Sequence, residues 1–207
     1  MSKILVLERF SLEALALLQS QFEVVCKTKL APTADEFNAC EGLIIRSQTQ
    51  VNKVLLEKMP NLKVIVTATS GFDHIDLALT QTKNIKVMYV PEGNALSAAE
   101  LTWALLMACS RKLVQGHFAI TRQSWERQPL MGTDLEGLTL GIIGLGRVGK
   151  KVAHFAHAFG MHVQYFDPYI LPNTAPHFAE STSLMELLRS SEAITLHVPL
   201  TKTTKHL

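Results

Sequence analysis

The segment Thr139–Gly149 constrains the chain more than any other stretch. Leu140–Ile143 is a short apolar run that reads as a buried strand. It leads into three glycines at G-x-G-x-x-G spacing, Gly144, Gly146 and Gly149, and into a helical recurrence of Val148, Val152, Phe155, Ala156 and Phe159. A second apolar segment, His162–Phe166, ends at Asp167. Strand, glycine turn, helix, strand and acid, in that order, form a dinucleotide cradle. Gly144 permits the tight turn, Gly146 lets the backbone approach a pyrophosphate, and Gly149 lets the helix pack close to the strand. The helix N-terminus presents free N–H groups and the positive end of its dipole to the phosphates. Asp167 follows Gly149 by roughly twenty residues and is placed to accept both ribose hydroxyls. Its carboxylate would repel a 2′-phosphate, so the expected cofactor is NAD rather than NADP. Arg147 weighs the other way as a cation, but its expected place is beside the pyrophosphate. The competing reading is a glycine turn that only packs a helix on a sheet.

The remaining sequence supplies the setting. A length of 207 residues suits one large or two small domains, and 47% hydrophobic residues support a substantial core. The net charge of +2 gives no reason to expect nucleic acid as a partner. No apolar run approaches the ~20 residues of a membrane span, so no membrane partner is expected. Cys26, Cys40 and Cys109 are scattered and odd in number, which points to reduced thiols in a cytoplasmic protein.

Before the glycine motif, strands alternate with helices. Strands are expected at Ile4–Leu7, Phe22–Cys26, Leu43–Ile45, Val64–Ala68 and Lys86–Val90. Helices are expected after Ser11 (with Leu12, Leu15 and Leu18 on one face), after a Thr33/Glu36 capping box, after Asn52, and over Asp76–Lys83. This alternation predicts a parallel, doubly wound sheet. Pro91–Asn94 interrupts it and marks a domain boundary, giving domains 1–93 and 94–207. Ser97 and Glu100 read as a capping box opening a long helix to about Lys112, with a further helix or bent extension to Gln123. Leu101, Leu105, Ala108 and Lys112 recur on one flank, Trp103 and Met107 on another, so several neighbours should cover this helix. Trp125–Gly137 reads as a loop. Beyond the motif, Ser183 and Glu186 cap a short helix, and Ala193–Val198 reads as a strand leading into His197–Thr201.

The glycine motif, Asp167-Pro168 and His197-Val-Pro-Leu-Thr201 together resemble the D-isomer-specific 2-hydroxyacid dehydrogenases. The segments Gly93–Thr102 and Trp125–Thr139, with an early Arg46-Ser47 loop, are most similar to the D-3-phosphoglycerate dehydrogenases of that family. The resemblance implies two α/β domains, a flavodoxin-like substrate domain (1–93, its front part) and a Rossmann cofactor domain (94–207, its first part), both incomplete at the C-terminus. It implies an NAD-dependent oxidoreductase moving a hydride between C2 of a small anionic 2-hydroxy acid and the nicotinamide. Arg46, Ser47, Ser70, Gly71 and Asn94 match substrate-binding positions. Ser70, Gly144, Gly146, Arg147, Val148, Gly149, Asp167 and Val198 match cofactor contacts, Val198 through its backbone alone. Ser97–Lys112 and the arm to Trp125 match where the family pairs as homodimers.

Two departures qualify the resemblance. Val66–Gly71 lacks the arginine many phosphoglycerate dehydrogenases carry there, and Thr67–His74 looks closer to the erythronate-4-phosphate dehydrogenases. The family's catalytic arginine, glutamate and histidine lie beyond the His197–Thr201 segment, so the expectation is a shortened form, inactive alone. The alternatives are a catalytically inactive NAD-binding or interaction module and a non-functional remnant.

Overall fold

A computed structural model describes residues 1–28, 31–201 and 203–207, and the chain divides into two units, Met1–Gly93 and Asn94–Leu207. The first unit runs β1 (Lys3–Val6), α1 (Leu12–Gln19), β2 (Glu23–Cys26), α2 (Ala34–Ala39), β3 (Gly42–Ile45), α3 (Lys53–Lys58), β4 (Val64–Thr67), α4 (Leu77–Thr82) and β5 (Lys86–Tyr89). The strands form one parallel sheet in the order β2-β1-β3-β4-β5. That is the flavodoxin-like order, with its topological switch between β1 and β3.

Side-chain alternation divides this unit's core between the two sheet faces. Leu5, Leu43, Ile45 and Ile65 face Phe37, Leu56 and Met59, while Ile4, Val6 and Ile44 face Phe10, Leu15, Leu18 and Phe22. All four residues of β3 are buried, as a strand covered on both faces requires. The helices start where local capping chemistry places them. Ser11, Thr33, Asn52 and Asp76 each accept a backbone N–H of the first turn, and Thr33 and Glu36 form the full reciprocal box. Leu12 departs from the expected face: it is the first helical residue of α1 and is 84% exposed.

The second unit runs α5 (Ala95–Ser110), α6 (Leu113–Thr121), β6 (Thr139–Ile143), α7 (Arg147–Ala158), β7 (His162–Phe166), β8 (Ala179–Ser181), α8 (Leu184–Ser190) and β9 (Ala193–Leu196). Its parallel sheet is ordered β8-β7-β6-β9, the first four places of the 3-2-1-4-5-6 Rossmann order. Leu140, Ile142, Val163 and Tyr165 pack with Val152, Ala153 and Ala156 of α7 and with Ala99 of α5.

Several expected boundaries move. The long helix opens at Ala95, with Asn94 at the cap position, so Ser97 lies inside the first turn and is no cap. The extra first turn buries Ala95. Lys112, in the left-handed region at φ 50°, separates α5 from α6, which makes the continuation a separate helix. Trp103 packs its ring on Phe159, at the C-cap of α7, and on Phe155 within α7, at centroid distances of 4.8 and 6.1 Å. The opposite flank of α5 is uncovered: Leu101 is 62% exposed and Leu105 58%. The loop before β6 holds a 3-10 turn at Gln128–Leu130, and β8 is a strand that the sequence pattern does not announce.

Candidate functional site

In the second unit the site forms at the carboxyl end of β6, where the strand order reverses between β6 and β9. Gly144 leaves the strand at φ +93°, and its N–H donates to the Phe166 carbonyl at 2.9 Å. A Cβ on Gly144 would lie 2.9 Å from the His197 carbonyl carbon and oxygen, so the turn passes directly against the exit of β9. Gly149 is buried in the first turn of α7, where a Cβ would overlap the Gly144 carbonyl oxygen. Gly146 differs from both. It occupies the N-cap position of α7 at φ −74°, and a Cβ there would meet nothing within 4 Å. Neither backbone strain nor protein packing therefore calls for glycine at 146, and the space above it is open for a ligand.

Asp167, at the end of β7, accepts the Leu145 N–H on Oδ2 at 2.8 Å and the Tyr169 N–H on Oδ1 at 2.9 Å. The acid thus braces the glycine turn. A carboxylate offers about four lone-pair sites, so two remain for further donors. Arg147 is exposed as the first residue of α7, and Val148 is half-buried on the core. Val198 lies beyond β9, which ends at Leu196, and not within the strand as the pattern implies. The Val198 side chain comes near Gly144, its Cγ1 2.9 Å from where a Cβ would stand. The structure therefore gathers Gly144, Gly146, Arg147, Val148, Gly149, Asp167 and Val198 at one strand end. His197 is half-buried there, its Nε2 2.9 Å from Thr195 Oγ1, and burial pushes its pKa down.

In the first unit the corresponding edge is formed by the carboxyl ends of β1, β3 and β4. Glu8, just past β1, anchors the loop after β3. Its Oε1 accepts the N–H groups of Arg46 at 2.9 Å and Thr49 at 3.1 Å, and Oε2 accepts Gln48 N–H at 3.4 Å. Arg46 and Ser47 are held exposed on this loop. A parallel bridge, Val51 to Ile75, ties it to the segment after β4 that carries half-buried Ser70 and exposed Gly71. Asn94 belongs to the second unit, at the start of α5. Glu8 is not evident from motif reading. The rule that ligands bind at carboxyl ends of parallel strands, applied to β1, would have singled it out.

Burial pushes the Glu8 pKa up, but the backbone hydrogen bonds from Arg46, Thr49 and Gln48, with the Thr49 side chain, outweigh it and leave it lowered. A depressed carboxylate stabilises the fold above its ordinary range, ~4.3, and that contribution is lost as pH falls through the lower folded value. Protection of the Arg46 and Thr49 amides from hydrogen exchange is expected to fall in that window, and Glu8→Gln should show the same loss at neutral pH. Unchanged protection in the variant would remove the anchoring role.

Among the described residues, no group of three or more His, Cys, Asp or Glu side chains could hold a metal ion, and no helix is long and apolar enough to cross a membrane.

Comparison with known proteins decides the affiliation of this architecture. Residues 103–207, just over half of the chain, match the family model of the D-isomer specific 2-hydroxyacid dehydrogenase NAD-binding domain. The chain belongs to the D-isomer specific 2-hydroxyacid dehydrogenase family. The cofactor that goes with this domain is NAD. D-3-phosphoglycerate dehydrogenase of Bacillus subtilis is 36% identical over the whole chain, and that of Methanocaldococcus jannaschii 37%. The chain spans 40% of the length of each of these relatives. D-lactate dehydrogenase from Aquifex aeolicus, solved with NAD and lactic acid, superposes with a TM-score of 0.87 at 31% identity, covering 98% of this chain and 62% of that one. NAD-dependent formate dehydrogenase from Staphylococcus aureus, solved with NAD, gives 0.85 at 26% identity, covering 99% of this chain and 67% of that one.

Proposed function

We propose that this chain serves the NAD-dependent oxidation of an anionic D-2-hydroxy acid, in the manner of the D-3-phosphoglycerate dehydrogenases. The observation that carries the reading is the open space over Gly146, at the mouth of a helix N-terminus and beside the Asp167 carboxylate. Residues 94–207 form the first part of the cofactor domain and residues 1–93 the front part of the substrate domain. Gly144, Gly146, Gly149 and the first amides of α7 hold the pyrophosphate, with Arg147 and Val148 beside it and Val198 offering backbone. Asp167 uses its remaining lone pairs for the ribose hydroxyls. Bound NAD supplies the acceptor for the hydride from the substrate's C2. Arg46, Ser47, Ser70, Gly71 and Asn94 bind the anionic acid, and Ser70 also contacts the cofactor. Erythronate 4-phosphate or another 2-hydroxy acid is the alternative substrate, the former supported by the likeness of Thr67–His74 to the erythronate-4-phosphate dehydrogenases. The free thiols of Cys26, Cys40 and Cys109 fit a reducing, cytoplasmic setting.

NADH titration followed by fluorescence tests the cofactor half. Asp167→Ala is expected to weaken NADH binding at least tenfold, about 1.4 kcal/mol. Equal binding by both proteins would refute the ribose assignment. No residue of this sequence matches the family's proton-transferring histidine. A polypeptide of residues 1–207 should therefore bind NADH yet show no turnover with D-3-phosphoglycerate. Hydride transfer by that polypeptide would overturn this part.

The exposed apolar side chains of α5 (Leu101, Leu105) and α6 (Phe118, Ile120) and of Trp125 support two-fold pairing through Ser97–Lys112 and the arm to Trp125. The protein is expected to be a dimer in light scattering, and Leu101→Glu with Leu105→Glu a monomer. A monomeric parent protein would remove the pairing.

A further inference from the structure

We propose that His74 is a positioning residue which, acting through the hydroxyls of Thr67 and Thr69, sets the peptide plane of the Ser70–Gly71 turn for an anionic substrate group. This rests on the reading of that turn as an anion cradle. Three polar residues are buried together at the end of β4: Thr67 is 0% exposed, His74 5% and Thr69 9%. Thr67 Oγ1 lies 2.7 Å from Thr69 Oγ1 and 3.0 Å from His74 Nε2. Thr69 Oγ1 donates to the Gly71 carbonyl at 2.7 Å.

A hydrogen count gives this chain one direction. Each hydroxyl carries a single hydrogen. Thr69 uses its hydrogen on the Gly71 carbonyl, so the hydrogen between the two threonines comes from Thr67. Thr67 then has none left for the imidazole, and His74 Nε2 must be the donor. The neutral ring is therefore the Nε2–H tautomer, with Nδ1 bare. The series runs from His74 Nε2–H to Thr67, to Thr69 and to the Gly71 carbonyl, and each bond polarises the next.

The end of the series is what relates it to binding. A trans peptide is planar, with its C=O and N–H on opposite sides. Holding the Gly71 carbonyl on the Thr69 hydroxyl turns the Phe72 N–H away from the buried network. Phe72 N–H thereby joins the Ser70 and Gly71 amides as a fixed element of the turn. The segment is secured from behind as well. The His74 carbonyl accepts the Val51 N–H at 2.8 Å, and Val51 in turn accepts the Asp76 N–H at 3.0 Å. Three apolar side chains would fill the same volume without the risk of an unpaired buried group, which costs about 1–3 kcal/mol. The polar series has a purpose where the orientation of one carbonyl matters.

The test uses the 207-residue chain, isotopically labelled, with D-3-phosphoglycerate as the probe. Long-range nitrogen–proton correlations of His74 at neutral pH are expected to show the Nε2–H tautomer, and the Nδ1–H tautomer would overturn the proposal. Shifts of the Ser70, Gly71 and Phe72 amides report probe binding. Thr67→Val and His74→Phe should weaken it about tenfold, whereas Thr67→Ser, which keeps the hydroxyl, and His74→Gln, which keeps a donor, should restore it to within about threefold. NADH binding by each variant checks that the second unit is intact, and a retained thermal transition checks the first. If parent and Thr67→Val bind the probe equally, the relay fails while the cradle reading stands. If the parent amides do not respond to the probe at all, the cradle reading fails and takes the positioning role with it.

Discussion

Gly149→Ala is expected to unfold the second unit at a markedly lower temperature and to remove NADH binding with it. The buried Gly149 faces the turn it helps to close, and an added Cβ would overlap the Gly144 carbonyl oxygen and stand 3.3 Å from Ile142 Cγ2. The obstacle is backbone, so no side-chain rotation relieves it. Nor can Gly144 retreat: its N–H is held by the Phe166 carbonyl at 2.9 Å, and it already backs onto His197. The remaining adjustment is for α7 to move off β6. That would open the contacts of Val152, Ala153 and Ala156, all fully buried. Overpacking of this kind costs roughly 1–3 kcal/mol, and a rigid backbone contact places Gly149→Ala at or above the top of that range. For a unit of this size the melting temperature should fall by on the order of 10 °C. Thermal melts of parent and variant decide it, and coincident transitions would show that α7 does not pack on the turn as described.

How much of this is legible in the sequence depends on how local its cause is. The caps at Ser11, Thr33 and Asn52 are local, since side chain and amide are three residues apart, and they appear where the pattern places them; Asp76, expected inside its helix, caps it instead. Ser97 and Glu100 carry the same signature, yet the helix starts at Ala95, itself buried, three residues before a Ser97 cap would open it. The helical spacing of α5 is plain from its residues. Which flank turns inward is not, because that is set by the Phe155 and Phe159 rings against Trp103, more than fifty residues on. The three residues of β8 are too few to show alternation, and pairing with Val163–Tyr165 alone makes them a strand. The glycine motif is readable from its spacing, although only Gly144, at φ +93°, and Gly149, against the Gly144 carbonyl, answer a demand of the backbone itself. Glu8 is not: it is one of 18 acidic residues, and only the register of β1 beside β3 brings it to Arg46, 38 positions away.

Gly146→Ala is expected to do the reverse of Gly149→Ala, sparing the fold and impairing the nucleotide. At φ −74° and ψ −155° the backbone of residue 146 suits any L-residue, and an alanine Cβ there would touch no protein atom within 4 Å. The stability change should be confined to the difference between glycine and alanine at an N-cap, about 1 kcal/mol or less. That Cβ would nevertheless stand over the first amides of α7, where the pyrophosphate must come to backbone distance. Lengthening several charge-assisted hydrogen bonds at once should lower NADH affinity at least tenfold, about 1.4 kcal/mol or more. The pair of variants separates two reasons for glycine that a motif cannot distinguish, room for a helix and room for a ligand. A thermal melt close to the parent's together with weakened NADH binding is the expected combination for Gly146→Ala. Parent-like affinity would mean that the open space over Gly146 is not where the phosphates lie, and the dinucleotide assignment of this turn would fall with it.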